Sequence, residues 1–480
     1  MILTIDIGTT TCKAAVFDHE GKIVVSASES VRIISNDNGA QQADPRQWAR
    51  ALAILCRKTA SGKDIRAVAV SGNGPTLTPV FGEPAVDGDM IVAPAANAML
   101  WLDRRAVVEA EMVSQVAHGF VDSSFMLPKA LYVYRNEPEM YHRTRWFLSS
   151  HEYINYLLTG EARTVLHADD ALRWYWDECM LTALGLDSEK FPQMCRPGDQ
   201  VGTITIMASK TLGLPFGIPV YACGPDFLVS ILGCAAVAPG QTCNRSGTSD
   251  GINLCTEHPF DDDRLMTYLH PVKPYYNISG IISTTGKAIG WIKQIVGMKE
   301  ASYKSLYAFM SQSKHGSAGV VFLPYLCGER APIWDPDAKG VFNNLTLSVT
   351  SADLARSVAE GVCFAIRDVI ETMEALGGHI GDLRVTGGPS ESDFLNQLKS
   401  DVTGRSVLVP AIGDAELVGS MVLARKALGD YPSIAVAAQQ LVAFGRRYDP
   451  DTKVKSIYDR LFDRYRATYA SLKEQWRNGR

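Results

Sequence analysis

One local arrangement occurs twice in this chain and constrains its fold more than any other feature: an apolar strand, a turn of glycine and hydroxyl residues, and a strand running back. The first copy opens the sequence. Leu3, Ile5 and Ile7 form the body of a strand, Gly8-Thr9-Thr10-Thr11 the turn, and Ala14 to Phe17 the returning partner, so the turn presents backbone N–H groups and hydroxyls outward. Successive N–H groups of that kind bind anions. Asp6 would then sit near the bound phosphates, where a carboxylate is useful only if it holds Mg2+ directly or through water. The same residues also fit an ordinary hairpin with a polar turn. The second copy is Asn244-Arg245-Ser246-Gly247-Thr248-Ser249-Asp250-Gly251, and two such turns, one per domain, can clamp a triphosphate from both sides.

The chain has 480 residues, 46% of them apolar and 21% charged, enough for two large domains with separate cores. A net charge of -5 gives no electrostatic reason to expect nucleic acid or an anionic membrane as partner, so small molecules are expected. No basic segment followed by an apolar one opens the chain, and no apolar run reaches the roughly 18 to 20 residues that span a bilayer, which makes the cytoplasm the expected location. The ten cysteines form no Cys-x-x-Cys pair and mostly sit among apolar residues, as Cys223, Cys234 and Cys363 do, so they read as reduced core residues. Strand and helix patterns alternate throughout, the signature of an α/β protein. Helices are expected over Gln47–Thr59, Glu152–Leu158, Phe227–Ala236 and Ala352–Leu376, and strands over Gln241–Cys255 and Tyr276–Thr285. A small-residue break at Ala238-Pro239-Gly240 divides the chain into domains 1–238 and 239–480.

Four further motifs carry chemistry or imitate it. Gly247-x-Ser249-x-Gly251 has the pattern of a hydrolase nucleophile elbow, but an elbow needs a helix after the serine, and Ile252-Asn253-Leu254-Cys255 alternates like a strand. Val220-Tyr221-Ala222-Cys223-Gly224-Pro225-Asp226-Phe227 is a strand ending in a Gly-Pro turn with an acid as a helix begins. Asp226 can cap that helix, or it can act as a general base toward a hydroxyl attacking a phosphate. In Val385-Thr386-Gly387-Gly388-Pro389 a strand runs into two glycines that would let backbone approach a flat ligand such as adenine, or simply make a tight turn. Gly280 to Lys287 is not a P-loop, since five residues separate its glycines where four are needed and Ala288 comes after the lysine. The histidines show no metal-ligand spacing, and Trp174-Tyr175-Trp176 reads as core.

Together, and in this order, the motifs resemble the FGGY family of carbohydrate kinases. Asp6-Ile7-Gly8-Thr9-Thr10 is similar to the family's first phosphate motif, Gly247-Thr248-Ser249 to its second, and Gly387-Gly388 with Asn396 to its adenosine motif. Met126 to Tyr132 is similar to the first family signature, Tyr153 to Glu161 to the segment after it, and Leu323 to Pro332 with Arg356 to Phe364 loosely to the second signature. The resemblance implies a two-domain, actin-like (ribonuclease H-like) ATPase fold with a cleft between the domains. It implies ATP as co-substrate, Mg2+ held by Asp6 and Asp226, Asp226 as general base, and Lys13 as part of the phosphate hairpin. It implies sugar contacts at Asn73, Gly74, Trp101, Asp103 and Arg104 beside Asp226, and a homodimer.

Two departures limit what carries over. Xylulokinases typically read Ser-Gly-Gln-Met-His-Gly where this chain has Ser71-Gly72-Asn73-Gly74-Pro75-Thr76, and Phe227, after Asp226, cannot donate a hydrogen bond to a sugar hydroxyl. The arginine and glutamate pair of glycerol kinases is also missing. The expected activity is therefore ATP-dependent phosphorylation of a ketose, a pentulose such as xylulose or ribulose, or a related polyol. The alternatives are an actin-like ATPase acting on a protein partner and a catalytically impaired sugar sensor.

Overall fold

The computed structural model describes residues 1–36, 38–168 and 175–478. They form two compact units, Met1–Gly233 with Glu416–Leu441, and Cys234–Ala415 with Val442–Arg480. Among the described residues no helix is long and apolar enough to cross a membrane.

The first unit is built on a six-stranded sheet. Its strands are β1 (Ile2–Ile7), β2 (Thr11–Phe17), β3 (Ile23–Ser30), β4 (Ala67–Gly72), β5 (Gln200–Thr203) and β6 (Pro219–Pro225), in the order β5-β6-β4-β1-β2-β3. β1 is antiparallel to β2 and parallel to β4, and β6 is parallel to β4. Every residue of β1 and β4 is buried, as expected of central strands covered on both faces. Helix Pro45–Thr59 starts where Asp44 accepts a hydrogen bond from the Arg46 N–H and Pro45 takes the first turn. It buries Trp48, Leu52, Leu55 and Cys56 at helical spacing. Trp48 meets Tyr153 of helix Ser150–Thr159 edge to face, with centroids 6.3 Å apart, a geometry worth about 1 kcal/mol beyond the area it buries. That second helix opens on a reciprocal Ser149–Glu152 capping box and ends on left-handed Gly160.

The second unit repeats the order and directions of β3, β2, β1, β4 and β6 and differs at both edges of the sheet. Its strands are β7 (Gln241–Ser246), β8 (Asp250–Thr256), β9 (Met266–Leu269), β10 (Tyr276–Ile282), β11 (Asp382–Thr386), β12 (Ser406–Pro410) and β13 (Phe444–Tyr448), in the order β9-β10-β8-β7-β11-β12-β13. β7 is antiparallel to β8, β8 to β10, and β7, β11 and β12 run parallel. The long helix Ser351–Ala375, capped by Thr350 and Asp353, buries Val358, Phe364, Val369 and Met373 under this sheet.

The structure settles several readings of the sequence. Gly280 lies inside β10, where an added Cβ would come 2.4 Å from Val369, so the 280–287 segment is no phosphate loop. Ser249 sits in the β7–β8 turn with a strand on each side, so no nucleophile elbow exists there. β10 ends at Ile282, before the expected Thr285, because the Ser283 N–H is taken by the Glu329 carboxylate at 2.6 Å. The helix after β6 runs over Asp226–Gly233. Tyr175 and Trp176 are buried, and Trp174 lies outside the described residues. All ten cysteines are free.

Candidate active site

In the first unit the parallel strands β1, β4 and β6 end side by side, and their ladder pairs Asp6 with Ser71 and Ser71 with Gly224. The register slips by one residue between Ala222 and Gly224, a bulge whose Gly224 adopts φ 95°. A bulge re-aims the residues just beyond it. Here those residues are Pro225 and Asp226, and Asp226 becomes the first residue of its helix, where the helix dipole favours a negative charge. Asp6 is 5% exposed and Asp226 8%. The Ser71 hydroxyl donates to Asp6 Oδ1 at 2.8 Å. Even so, burial pushes the Asp6 carboxyl up to about 8, reinforced by the charges of Glu416 and then Asp226, while Ser71 and Lys13, its partner across the β1–β2 ladder, pull it down. Carboxylates that repel one another at a buried edge are relieved by a cation. The donors are all hard oxygens, and Mg2+ commonly takes only one or two carboxylates and keeps its waters. Asp6 and Asp226 are donors of the kind that demand calls for, and among the described residues no group of three or more His, Cys, Asp and Glu that could hold a metal occurs.

The β1–β2 turn is tight. Gly8 N–H donates to the Thr11 carbonyl at 3.1 Å, and a Cβ on Gly8 would stand 2.5 Å from that oxygen. Thr9 Oγ1 accepts from Trp101 Nε1 at 3.0 Å, which fixes the indole beside the turn, and Thr10 is exposed. Gly74 approaches the residue preceding Asp226, since a Cβ on it would lie 3.3 Å from Pro225 Cβ. The structure thus brings Asp6, Gly8, Thr9, Gly74, Trp101 and Asp226 to one end of one sheet. Asn73 is buried there too, but its amide donates to the Ile7 carbonyl and accepts from Thr76. Asp103 is fully buried, gripped bidentately by Arg105 and accepting from the Gln41 N–H, whereas Arg104 is exposed and bonded to Asp122.

In the second unit the β7–β8 turn opens onto a cavity of about 1160 Å3 whose lining includes Gly247, Thr248, Lys287, Tyr307, Gly388 and Phe394. Asp250 organises the turn from beneath. It accepts from Ser246 Oγ at 2.8 Å, Asn244 Nδ2 at 3.1 Å and Thr285 Oγ1 at 2.6 Å. Lys399, from helix Asp393–Thr403, donates to Ser246 Oγ at 3.1 Å and to Asn244 Oδ1. Thr285 and Lys399 escaped the sequence reading because they lie 35 and about 150 residues from the groups they hold, with no local pattern to mark them. Glu416, whose charge raises the Asp6 carboxyl, escaped it too because it lies far along the chain from Asp6. Asn396 Nδ2 donates to the Ser390 carbonyl at 2.7 Å, which shapes the turn after the double glycine.

The two glycines of that turn have opposite surroundings. Gly387 has φ 86°, and a Cβ on it would come 1.9 Å from the Ser246 carbonyl, whereas a Cβ on Gly388 would meet no protein atom within 4 Å. Gly387→Ala is therefore expected to cost roughly 3 kcal/mol of stability, read from the denaturant midpoint. Gly388→Leu should leave that midpoint unchanged, because its side chain enters the cavity that Gly388 lines.

Comparison with known proteins matches two domain models to the chain. The N-terminal domain model of the FGGY family of carbohydrate kinases matches residues 1–233, and the C-terminal domain model matches residues 243–428. The xylulose kinase of Staphylococcus epidermidis is 26% identical over 495 residues, covering 99% of this chain and 97% of that protein. Among solved structures, a gluconate kinase from Lactobacillus acidophilus superposes with a TM-score of 0.86 at 23% identity, covering 100% of this chain and 99% of the other. A ligand-bound xylulose kinase from the same organism gives 0.85 at 23% identity, covering 100% of both. These two likenesses are of fold, and the fold they share is the two-domain, actin-like α/β arrangement expected from the sequence.

Proposed function

We propose, from the premise that this chain belongs to the FGGY family of carbohydrate kinases, that it transfers the γ-phosphate of ATP to a hydroxyl of a pentulose such as xylulose or ribulose, or of a related polyol. The observation that carries this reading is the ladder Asp6–Ser71–Gly224, which delivers two buried carboxylates, Asp6 and Asp226, to the end of the sheet that also carries the glycine–hydroxyl turn. A pentulose is favoured by the full-length similarity to xylulose kinases, and the altered Asn73-Gly74-Pro75 loop and Phe227 are where its identity would be decided.

Asp226 accepts the proton of the substrate hydroxyl as that oxygen attacks the γ-phosphorus. The new O–P bond forms while the bond from phosphorus to the β-bridging oxygen breaks, ADP leaves, and Asp226 later returns its proton to solvent. The turn at Gly8–Thr10, with Lys13, and the turn at Gly247–Ser249 supply N–H and hydroxyl donors for phosphate oxygens, Gly388 leaves room for the purine, and Gly387 lets the turn pass close to the Ser246 carbonyl. A bound Mg2+, with Asp6 and Asp226 among its oxygen partners, would neutralise charge on the phosphates. The reaction needs water kept out, since water is itself an acceptor for the phosphoryl group.

The test is ADP release from Mg-ATP across ketoses, polyols and sugar acids with a no-sugar control. Release that depends on one sugar, and that EDTA abolishes, is the expected result. Release independent of every sugar would overturn the assignment.

A further inference from the structure

Lys129 lies in helix Met126–Asn136 and is fully buried. Its ammonium has three N–H groups, and three main-chain carbonyls take them: Leu100 at 2.7 Å, Pro75 at 3.1 Å and Met99 at 3.3 Å. Burying an ammonium is costly, and a carbonyl compensates less than a carboxylate would. An apolar side chain of the same volume would serve packing better, so the charge must do something that packing does not.

The placement of the three carbonyls shows its role. Pro75 belongs to the loop Asn73–Thr76 that continues from β4 and brings Gly74 against Pro225. Met99 and Leu100 immediately precede Trp101, whose indole holds Thr9 of the first hairpin. Just beyond the loop, the chain meets the second segment through the paired backbone bonds between Leu77 and Met99, at 3.0 and 2.8 Å. We infer that Lys129 is a positioning residue for the sugar, a buried tripod that sets the Asn73–Thr76 loop and the Trp101 segment at the separation the substrate requires. The inference rests on the sugar-kinase reading.

Burial also lowers the Lys129 ammonium to about 7, with Asp103 and Asp122 favouring its charge and Arg104 and Arg105 opposing it. A neutral amine has only two N–H groups to give, so one carbonyl loses its donor as the pH rises past that value. The tripod is complete in acid and incomplete in base.

The experiment compares the wild-type enzyme with Lys129→Met and Lys129→Arg in steady-state kinetics, using the sugar found active in the panel. Lys129→Met is expected to raise the sugar KM by about 30-fold, with kcat within about threefold and the ATP KM within about twofold, and Lys129→Arg to recover part of the loss. The wild-type sugar KM should rise between about pH 6 and 8.5, and that of Lys129→Met should stay flat. A sugar KM for Lys129→Met within about threefold of wild type would overturn the inference. Equal loss of sugar and nucleotide binding with early melting would also overturn it, by making Lys129 a support of the whole unit. A wild-type enzyme silent with every sugar would sink the sugar-kinase reading first and this inference with it.

Discussion

Asp226→Asn is expected to lower kcat by about 10² to 10⁴, equivalent to about 3 to 5 kcal/mol of barrier, while nucleotide affinity changes by less than about twofold. The two roles open to this aspartate respond differently to that substitution. As a helix cap, asparagine is as good as aspartate, so a capping role predicts no change in either stability or rate. As a base, asparagine keeps the shape and loses the lone pair that takes the proton. The variant should therefore fold as well as the wild type, or slightly better, since it removes one of the charges that repel Asp6. Single-turnover phosphoryl transfer alongside thermal unfolding separates the cases. A variant that melts normally and turns over normally would remove Asp226 from the chemistry.

The parts of this site that could be read from the sequence are the parts that local backbone demands impose. Strand, glycine turn and strand at Ile5–Phe17 and at Asn244–Cys255 announce hairpins because apolar alternation and turn chemistry are short-range signals. Gly387-Gly388 likewise comes after an unmistakable strand. The side chains that hold these turns in place are the unreadable part. Thr285 and Lys399 reach the second hairpin from other elements. Glu416, whose charge presses on Asp6, comes from the segment 416–441, far along the chain from the first hairpin whose unit it joins. The polar residues expected around the sugar show the converse limit. Their types suggest recognition, yet Asp103 is engaged by Arg105 and Gln41, and Asn73 by Ile7 and Thr76, engagements that only the folded chain reveals. Lys129 stands in a segment recognisable from sequence, but nothing in the sequence says that its ammonium meets three carbonyls.

Asp6→Asn is expected to stabilise the metal-free protein at pH 8 while lowering kcat by about 10² or more. The folded-state carboxyl titrates at about 8, against 3.8 for its unperturbed value, so between those limits the folded chain holds a proton that the unfolded chain has released. Wild-type stability is then full below about pH 4 and declines as the pH rises toward 8, because folding must retain a proton that solvent increasingly withdraws. Asparagine has no proton to lose, and its Oδ1 can still accept from Ser71. The advantage of the variant should be near zero at about pH 4 and about 3 kcal/mol at about pH 8, a figure discounted because the charges of Glu416 and Asp226 also press on Asp6 in the folded chain. Denaturant unfolding in EDTA at the two pH values measures it. Mg-ADP should reverse the order at pH 8 by favouring the ionised Asp6 of the wild type, a gain unavailable to the variant. If Asp6→Asn is instead less stable than the wild type at pH 8 in EDTA, the Asp6 carboxylate is held by donors rather than strained by its neighbours, and its assignment to the metal loses its physical ground.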